Sequence, residues 1–123
     1  MHDKYMTNTG RLTTHVLDTA NGCPAAGMAF TLFRADEADA VVSGVTNADG
    51  RADAPLLQDA AFTVGRYSLE FEVAAYFRAR GTLLPEMPFL YVVTLDFGIG
   101  DKQRHYHVPL LVSPWAYSTY RGS

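Results

Sequence analysis

Residues 67–73, with the sequence Tyr-Ser-Leu-Glu-Phe-Glu-Val, alternate between apolar and polar side chains along their whole length. Successive side chains of a β-strand point to opposite faces of the sheet, so this segment has one apolar and one polar face. Such a pattern is typical of an antiparallel strand that packs one face on the core and exposes the other to solvent. The fold must therefore contain a sheet that is covered on one side.

Several other segments are rich in β-branched and aromatic residues and are bounded by Gly, Pro, Asn or Asp. Only residues 74–80 favour a helix, which is short and is ended by Gly81. This succession predicts an all-β fold, an antiparallel two-sheet sandwich of roughly seven or eight short strands. The other predicted strands are residues 11–18, 28–34, 41–45, 53–57, 89–97 and a segment that begins at residue 105.

The length of 123 residues suits one domain with one core. Residues 1–10 are polar and lack the apolar stretch of a signal peptide, so we predict a flexible N-terminal segment ahead of a domain at residues 11–123. The missing signal and the single cysteine, Cys23, favour a reducing compartment. We therefore expect a cytoplasmic protein.

Two classes of partner are not expected. The net charge is −3 and no basic run is present, which argues against nucleic acid. No apolar stretch approaches the length of a membrane span, which argues against a membrane.

The strand that begins at residue 105 carries two histidines on one face. Alternation puts Tyr106 and Val108 on the core face and His105 and His107 on the opposite face. Pro114 ends the run, and the aromatic residues 115–120 are predicted to return as a hairpin partner. Both faces of this strand pair are rich in apolar residues, so we expect the second face to be covered by oligomerisation.

The chemistry-bearing side chains predict a candidate site. A neutral imidazole is the usual general base near pH 7, an arginine binds an anionic oxygen, and a tyrosine hydroxyl can donate to the same oxygen. No Gly-x-Ser-x-Gly motif or Cys–His spacing supports a covalent nucleophile, so activated water is the simpler one. The candidate residues are His15, Arg51, His105, His107, Ser118 and Tyr120.

Two other interpretations of these residues stay open on the sequence alone. The histidines can be separate surface residues, and Arg51 can be a solvated arginine at the end of a turn. Alternatively, His-x-His with a third histidine is a known zinc-binding pattern. The zinc interpretation is weaker, because no carboxylate stands beside the histidines and an inward-pointing Arg51 would repel a cation.

Six segments of the chain carry a more specific signal, above all the C-terminal Tyr-Arg-Gly-Ser. Through them the sequence resembles the transthyretin-like family, in its 5-hydroxyisourate hydrolase branch, from about residue 11 to the C-terminus. Trp115 is a mild departure, since Tyr or Phe is commoner there. The matching segments are 12–18 (Leu-Thr-Thr-His-Val-Leu-Asp), 22–27 (Gly-Cys-Pro-Ala-Ala-Gly), 46–51 (Thr-Asn-Ala-Asp-Gly-Arg), 76–77 (Tyr-Phe), 105–111 (His-Tyr-His-Val-Pro-Leu-Leu) and 113–123.

The resemblance implies a transthyretin-like antiparallel β-sandwich of two four-stranded sheets with one short helix. It also implies a homotetramer with substrate sites in a channel between dimers. The family's functional residues fall on His15, Arg51, His107 and Tyr120. Ser118 is expected to help bind substrate and His105 to support the site, and no metal or cofactor is expected.

The implied reaction is hydrolysis of 5-hydroxyisourate to 2-oxo-4-hydroxy-4-carboxy-5-ureidoimidazoline, a step in the degradation of urate to allantoin. The alternative is a non-catalytic carrier of small molecules, the role of transthyretin itself. The resemblance favours the enzyme, because the carrier branch lacks the His, Arg, His set and the Tyr-Arg-Gly-Ser end.

Overall fold

A computed structural model describes residues 10–122 of the chain. The predicted flexible segment at residues 1–10 therefore lies outside the described residues, except for Gly10. Gly10 is buried, and its N–H donates to the carbonyl of Lys102 at 3.1 Å.

Two sheets pack face to face around one core. The short helix α1, Val73–Ala79, follows the sixth strand, and a single 3₁₀ turn covers Asp59–Ala61. In chain order the strands are β1 Arg11–Asp18, β2 Cys23–Pro24, β3 Ala29–Arg34, β4 Ala40–Val45, β5 Leu57–Gln58, β6 Gly65–Phe71, β7 Val93–Ile99, β8 Tyr106–Val112 and β9 Tyr117–Thr119.

The first sheet has the strand order β2-β1-β8-β9, and the two-residue β5 pairs with β1 as well. The second sheet has the order β4-β3-β6-β7. The predicted sandwich of two sheets with one helix is confirmed, and β5 is an addition to the first sheet. One pairing differs from a purely antiparallel sandwich: β1 and β8 run parallel, with Leu12 opposite Tyr106 and Asp18 opposite Val112.

The predicted core alternation is confirmed for residues 67–71, whereas Val73, predicted as the last residue of this strand, is the first residue of α1. Tyr67, Leu69 and Phe71 are buried, whereas Ser68 and Glu70 are half-buried on the other face. The core is continuous between the sheets, because buried side chains of β1, β3, β6, β7 and β8 belong to one cluster.

Two predicted strands are shorter than expected. In the 53–57 segment only the last residue lies in a strand, since Pro55 has no N–H to donate to a ladder. In the 89–97 segment the strand begins at Val93. Its neighbour β6 ends at Phe71, directly opposite Val93, so the preceding residues have no β6 residue to pair with.

Helix α1 is fastened to the end of β1 through the buried carboxylate of Asp18. The Tyr76 hydroxyl donates to Asp18 Oδ2 at 2.8 Å, and the Asn21 side-chain amide donates to the same oxygen at 2.7 Å. Burial alone raises the pKa of Asp18, but the hydrogen bonds from Asn21 and Tyr76 outweigh it and lower the pKa. Burial and the contact with Asp18 raise the pKa of Tyr76 to about 12.

No helix within residues 10–122 has the length and apolar character that spanning a membrane requires.

Candidate active site

The parallel pairing of β1 with β8 brings two histidines of the candidate site together. Thr13 lies opposite His107, and His15 lies opposite Pro109. Paired residues of neighbouring strands point to the same face, so Thr13, His15 and His107 share the outer face of the sheet. The ring centroids of His15 and His107 are 6.4 Å apart. The predicted outward direction of the histidine face of β8 is confirmed, because Tyr106 is buried and His107 is only half-buried.

The hydroxyl of Thr13 contacts both histidines of β8. Its Oγ1 lies 2.9 Å from Nε2 of His105 and 2.8 Å from Nδ1 of His107. The ring centroids of His105 and His107 are 6.4 Å apart, with Thr13 between the two rings. One side chain therefore links both imidazoles.

A tight turn holds Arg51 beside His15. The Asn47 side-chain oxygen accepts from the N–H of Asp49 at 2.9 Å and from the N–H of Arg51 at 3.1 Å. Gly50 has a φ of 77°, and a Cβ there would lie 2.4 Å from the carbonyl oxygen of Val16. Only glycine fits at position 50, because the turn packs directly on β1. As a result, His15 and Arg51 form an isolated antiparallel bridge.

The C-terminal segment pairs with the backbone of His107. The Gly122 N–H donates to the His107 carbonyl at 2.7 Å, and the His107 N–H donates to the Gly122 carbonyl at 3.2 Å. A Cβ at position 122 would lie 3.1 Å from Cβ and Cδ2 of His107. The glycine of the Tyr-Arg-Gly-Ser end thus leaves room for the His107 side chain. Ser123 lies outside the described residues.

Four of the residues described above, Thr13, Arg51, His105 and His107, border a cavity of about 480 Å³ that is open to solvent, whereas His15 is not among its lining residues. Its size suits a small molecule. The residues that line it include Arg11, Thr13, Arg51, Asp53, His105 and His107.

Burial and nearby positive charges lower the pKa of all three histidines of the candidate site. Burial is the largest cause that lowers the pKa of His107, and the positive charge of Arg51 is the second. The same two causes lower the pKa of His15. Burial and then Arg11 lower the pKa of His105. Because an ordinary imidazole titrates near pH 6.5, all three can accept a proton at pH 7.

Ser118 and Tyr120 do not border the cavity that Arg51 and His107 line. Ser118 lies opposite Leu111, which belongs to the histidine face. Tyr120 follows β9, is 61 % exposed and borders a second cavity of about 430 Å³ beside β7. No hydrogen bond joins either side chain to His15, Arg51 or His107 within the described part of the chain. Contacts within one chain therefore lend no support to the roles predicted for these two residues.

The geometry does not favour the zinc interpretation. Zinc holds imidazole nitrogens at about 2.0–2.1 Å, which requires ring nitrogens to converge on one point. Here Thr13 occupies one nitrogen of His105 and one of His107, and the cationic Arg51 lies beside His15. Among residues 10–122, no group of three or more His, Cys, Asp or Glu side chains is arranged to hold a metal ion.

Thr13 and Gly122 are the two site residues whose functions the sequence did not reveal. Alternation along β1 puts Thr13 on the face of His15, but its contact with His107 depends on the pairing of β1 with β8. Gly122 belongs to the C-terminal segment that carries the family resemblance. The reason that a glycine stands there, the closeness of the His107 side chain, is visible only in three dimensions.

Most of the chain is similar in sequence to known proteins. A sequence model of the HIUase/Transthyretin family matches residues 12–122. The chain is 56 % identical to a 5-hydroxyisourate hydrolase of Ralstonia nicotianae, over 93 % of this chain and 99 % of the relative.

Solved structures agree in fold. A crystal structure of an (S)-allantoin synthase superposes with a TM-score of 0.89 at 49 % identity, over 95 % of this chain and 46 % of that longer chain. The 5-hydroxyisourate hydrolase of Klebsiella pneumoniae superposes with a TM-score of 0.79 at 37 % identity, over 94 % of this chain and all of that one.

Proposed function

The chain belongs to the HIUase/transthyretin family, and on that premise we propose that it hydrolyses 5-hydroxyisourate with a water molecule activated by His107. The product is 2-oxo-4-hydroxy-4-carboxy-5-ureidoimidazoline, and the step belongs to the degradation of urate to allantoin. The main support is the convergence of His15, Arg51 and His107 on one face, within the stretch that matches the family.

His107 acts as the general base. Its lowered pKa leaves the imidazole neutral at pH 7, so that Nε2 takes a proton from water as the oxygen attacks a ring carbonyl of the substrate. The adjacent ring C–N bond then breaks, and the imidazolium returns the proton to the departing nitrogen. The new carboxyl group contains the oxygen of the water and releases its remaining proton to solvent as it ionises to the carboxylate, so the reaction consumes only water.

Arg51 stabilises negative charge. The carbonyl oxygen becomes an oxyanion during the attack, and a preorganised guanidinium stabilises that charge more in the transition state than in the ground state. His15 orients the substrate or water beside it, since its backbone is bridged to Arg51 and its ring faces His107.

Three further residues have smaller proposed roles. Ser118 and Tyr120 bind or orient the substrate from the C-terminal segment, with Tyr120 as a hydroxyl donor. The strand register supports the role of Ser118, because it puts Ser118 opposite Leu111 on the histidine face. The role of Tyr120 rests on the resemblance of the C-terminal segment to the family. His105 supports the site through the shared Thr13 hydroxyl.

The carrier alternative fits the residues less well. The cavity is bordered by two arginines and two histidines. Three neutral imidazoles and a guanidinium on one face suit acid–base chemistry better than storage of an apolar ligand.

We also propose a homotetramer. Large aromatic side chains are exposed, among them Phe89 at 70 % and Trp115 at 60 %, and their rings stack with centroids 6.2 Å apart. Such exposed apolar surface marks an interface between protein chains. Sedimentation equilibrium should give four times the chain mass of 13.5 kDa. A fully active protein of single-chain mass would contradict this assembly.

A cytoplasmic location is proposed for the protein. Cys23 is the only cysteine and is a free thiol, as is usual in a reducing compartment. Fractionation of cells that express the native gene would decide this, and recovery in an oxidising compartment would contradict it.

The proposed reaction is tested by product identity. The substrate is generated from ¹³C-labelled urate with urate oxidase, the protein is added, and ¹³C NMR spectra are recorded at once. We expect the ring-opened carboxylate to appear at a rate proportional to protein concentration. Formation of this product at the same rate without the protein would refute the assignment.

A further inference from the structure

One threonine hydroxyl connects two neutral histidines. Thr13 Oγ1 lies 2.8 Å from Nδ1 of His107 and 2.9 Å from Nε2 of His105. A hydroxyl has a single proton and two acceptor lone pairs, so it can donate to at most one of the two rings and must accept from at least one of them for both contacts to be hydrogen bonds. Each neutral imidazole likewise carries a single N–H. The tautomers of His105 and His107 are therefore coupled through Thr13.

Two directions of this hydrogen-bonded chain give the Thr13 hydroxyl proton a protein acceptor. A third arrangement, in which both rings donate to Thr13, leaves that proton without an acceptor among residues 10–122. In the first, Nδ1–H of His107 donates to Thr13, and the Thr13 hydroxyl donates to Nε2 of His105. In the second, Nε2–H of His105 donates to Thr13, and Thr13 donates to Nδ1 of His107. The second direction places the proton of His107 on Nε2, so that nitrogen could no longer accept a proton from water.

The free nitrogen of His107 decides between the two directions. Nδ1 is engaged by Thr13, and within residues 10–122 no protein group lies at hydrogen-bond distance from Nε2. Nε2 is thus the nitrogen available to the cavity that His107 borders. A base at this position requires Nε2 to be unprotonated, which selects the first direction.

We propose that Thr13 is a positioning residue that holds His107 in the Nδ1–H tautomer, with His105 as the terminal acceptor of the hydrogen-bonded chain. This inference rests on the proposed function, in which His107 is the base. In a catalytic triad, a carboxylate accepts the hydrogen bond from Nδ1–H of the histidine and so fixes its tautomer. Here a neutral hydroxyl, with a second imidazole beyond it, takes the place of the carboxylate.

The charges around the two rings are compatible with this arrangement. His107 is faced by Arg51 and His15, and His105 is faced by Arg11 and Arg121. Burial and then these positive charges lower the pKa of both rings, which favours the neutral imidazoles that carry a single N–H each. The carboxylate of Asp53 borders the same cavity but makes its hydrogen bond with Asn47.

The kinetic test compares Thr13→Val with Thr13→Ser. Valine keeps the β-branched shape and removes the hydroxyl, so kcat should fall at least about tenfold, with the full 10²–10⁴-fold contribution of a general base as the upper limit. KM should change little, because Thr13 orients the base. Serine keeps the hydroxyl and should restore most of the lost kcat. Thr31→Val, a half-buried strand threonine of the second sheet, is the matched control and should have parent activity.

The second readout needs no substrate. Long-range ¹H–¹⁵N NMR spectra at pH 7.5 report which nitrogen of each histidine carries the proton. In the parent and in Thr13→Ser we expect His107 protonated on Nδ1 and His105 with Nε2 unprotonated. Thr13→Val should shift His107 toward the Nε2–H tautomer.

The results distinguish a failure of the tautomer assignment from a failure of the proposed function. A parent protein with His107 protonated on Nε2 would overturn the inference, as would a folded Thr13→Val with unchanged kcat and tautomer. If Thr13→Val does not fold, the spectra of the parent and of Thr13→Ser still show which nitrogen of His107 carries the proton. A parent that has the expected tautomer but does not hydrolyse 5-hydroxyisourate would refute the proposed function and leave the tautomer assignment standing.

Discussion

Replacing His107 with alanine is expected to lower kcat for 5-hydroxyisourate hydrolysis by roughly 10²–10⁴-fold, the usual contribution of a general base. The side chain is half-buried on the outer face of β8, so its removal leaves the core intact. The backbone pairing with Gly122 does not involve the ring and should persist. Steady-state kinetics, with circular dichroism and thermal denaturation as measures of folding, check the prediction.

The sharper control is His107→Asn. An asparagine amide can still donate to Thr13 from about the position of Nδ1, but it offers no basic nitrogen in place of Nε2. We therefore expect His107→Asn to be nearly as inactive as His107→Ala. If His107→Asn retains most of the parent kcat, His107 only maintains the structure of the site, and the base must be another group.

Replacing Arg51 with alanine is expected to lower kcat/KM by on the order of 10²–10³, the usual effect of removing one donor to a developing oxyanion. The substitution should also shift the pKa values of two histidines in a defined direction. Burial and then Arg51 hold the pKa of His107 below the ordinary 6.5, and the same causes act on His15. Without the guanidinium both pKa values rise, so the acid limb of the pH–rate profile should move to higher pH.

Arg51→Lys separates the two effects. Lysine keeps the positive charge and so should keep the histidine pKa values low, but it lacks the planar fork that binds an oxyanion through two N–H groups. We expect its acid limb to resemble that of the parent while kcat/KM stays reduced. NMR titration of the histidines measures the pKa values independently of activity. Unchanged pKa values in Arg51→Ala would show that the guanidinium does not act on these rings.

The local parts of the fold were predictable from the sequence, and the non-local pairings were not. The alternation of residues 67–73 correctly predicts the buried and exposed faces of β6, because it depends only on strand geometry. The parallel pairing of β1 with β8 joins residues more than ninety positions apart, and no local pattern encodes it. The predicted start of β7 was wrong by four residues for the same reason, since it depends on where β6 ends.

The candidate site shows the same division. The resemblance named His15, Arg51 and His107, and the structure places them together on one face. The role of Thr13 was not predictable, because a threonine in a strand is ordinary and its two imidazole contacts exist only after β1 pairs with β8. The roles of Ser118 and Tyr120 stay predictions, because neither residue borders the cavity that Arg51 and His107 line.

The central claim, hydrolysis of 5-hydroxyisourate by a base at His107, is tested most directly by an ultraviolet time course. Urate oxidase generates the substrate in the cuvette, and the parent protein or His107→Ala is then added. We expect rapid loss of the substrate's absorbance with the parent and decay at the spontaneous rate with His107→Ala. Spontaneous decay with folded parent protein would contradict the enzymatic function, and equally rapid loss with both proteins would contradict the role of His107.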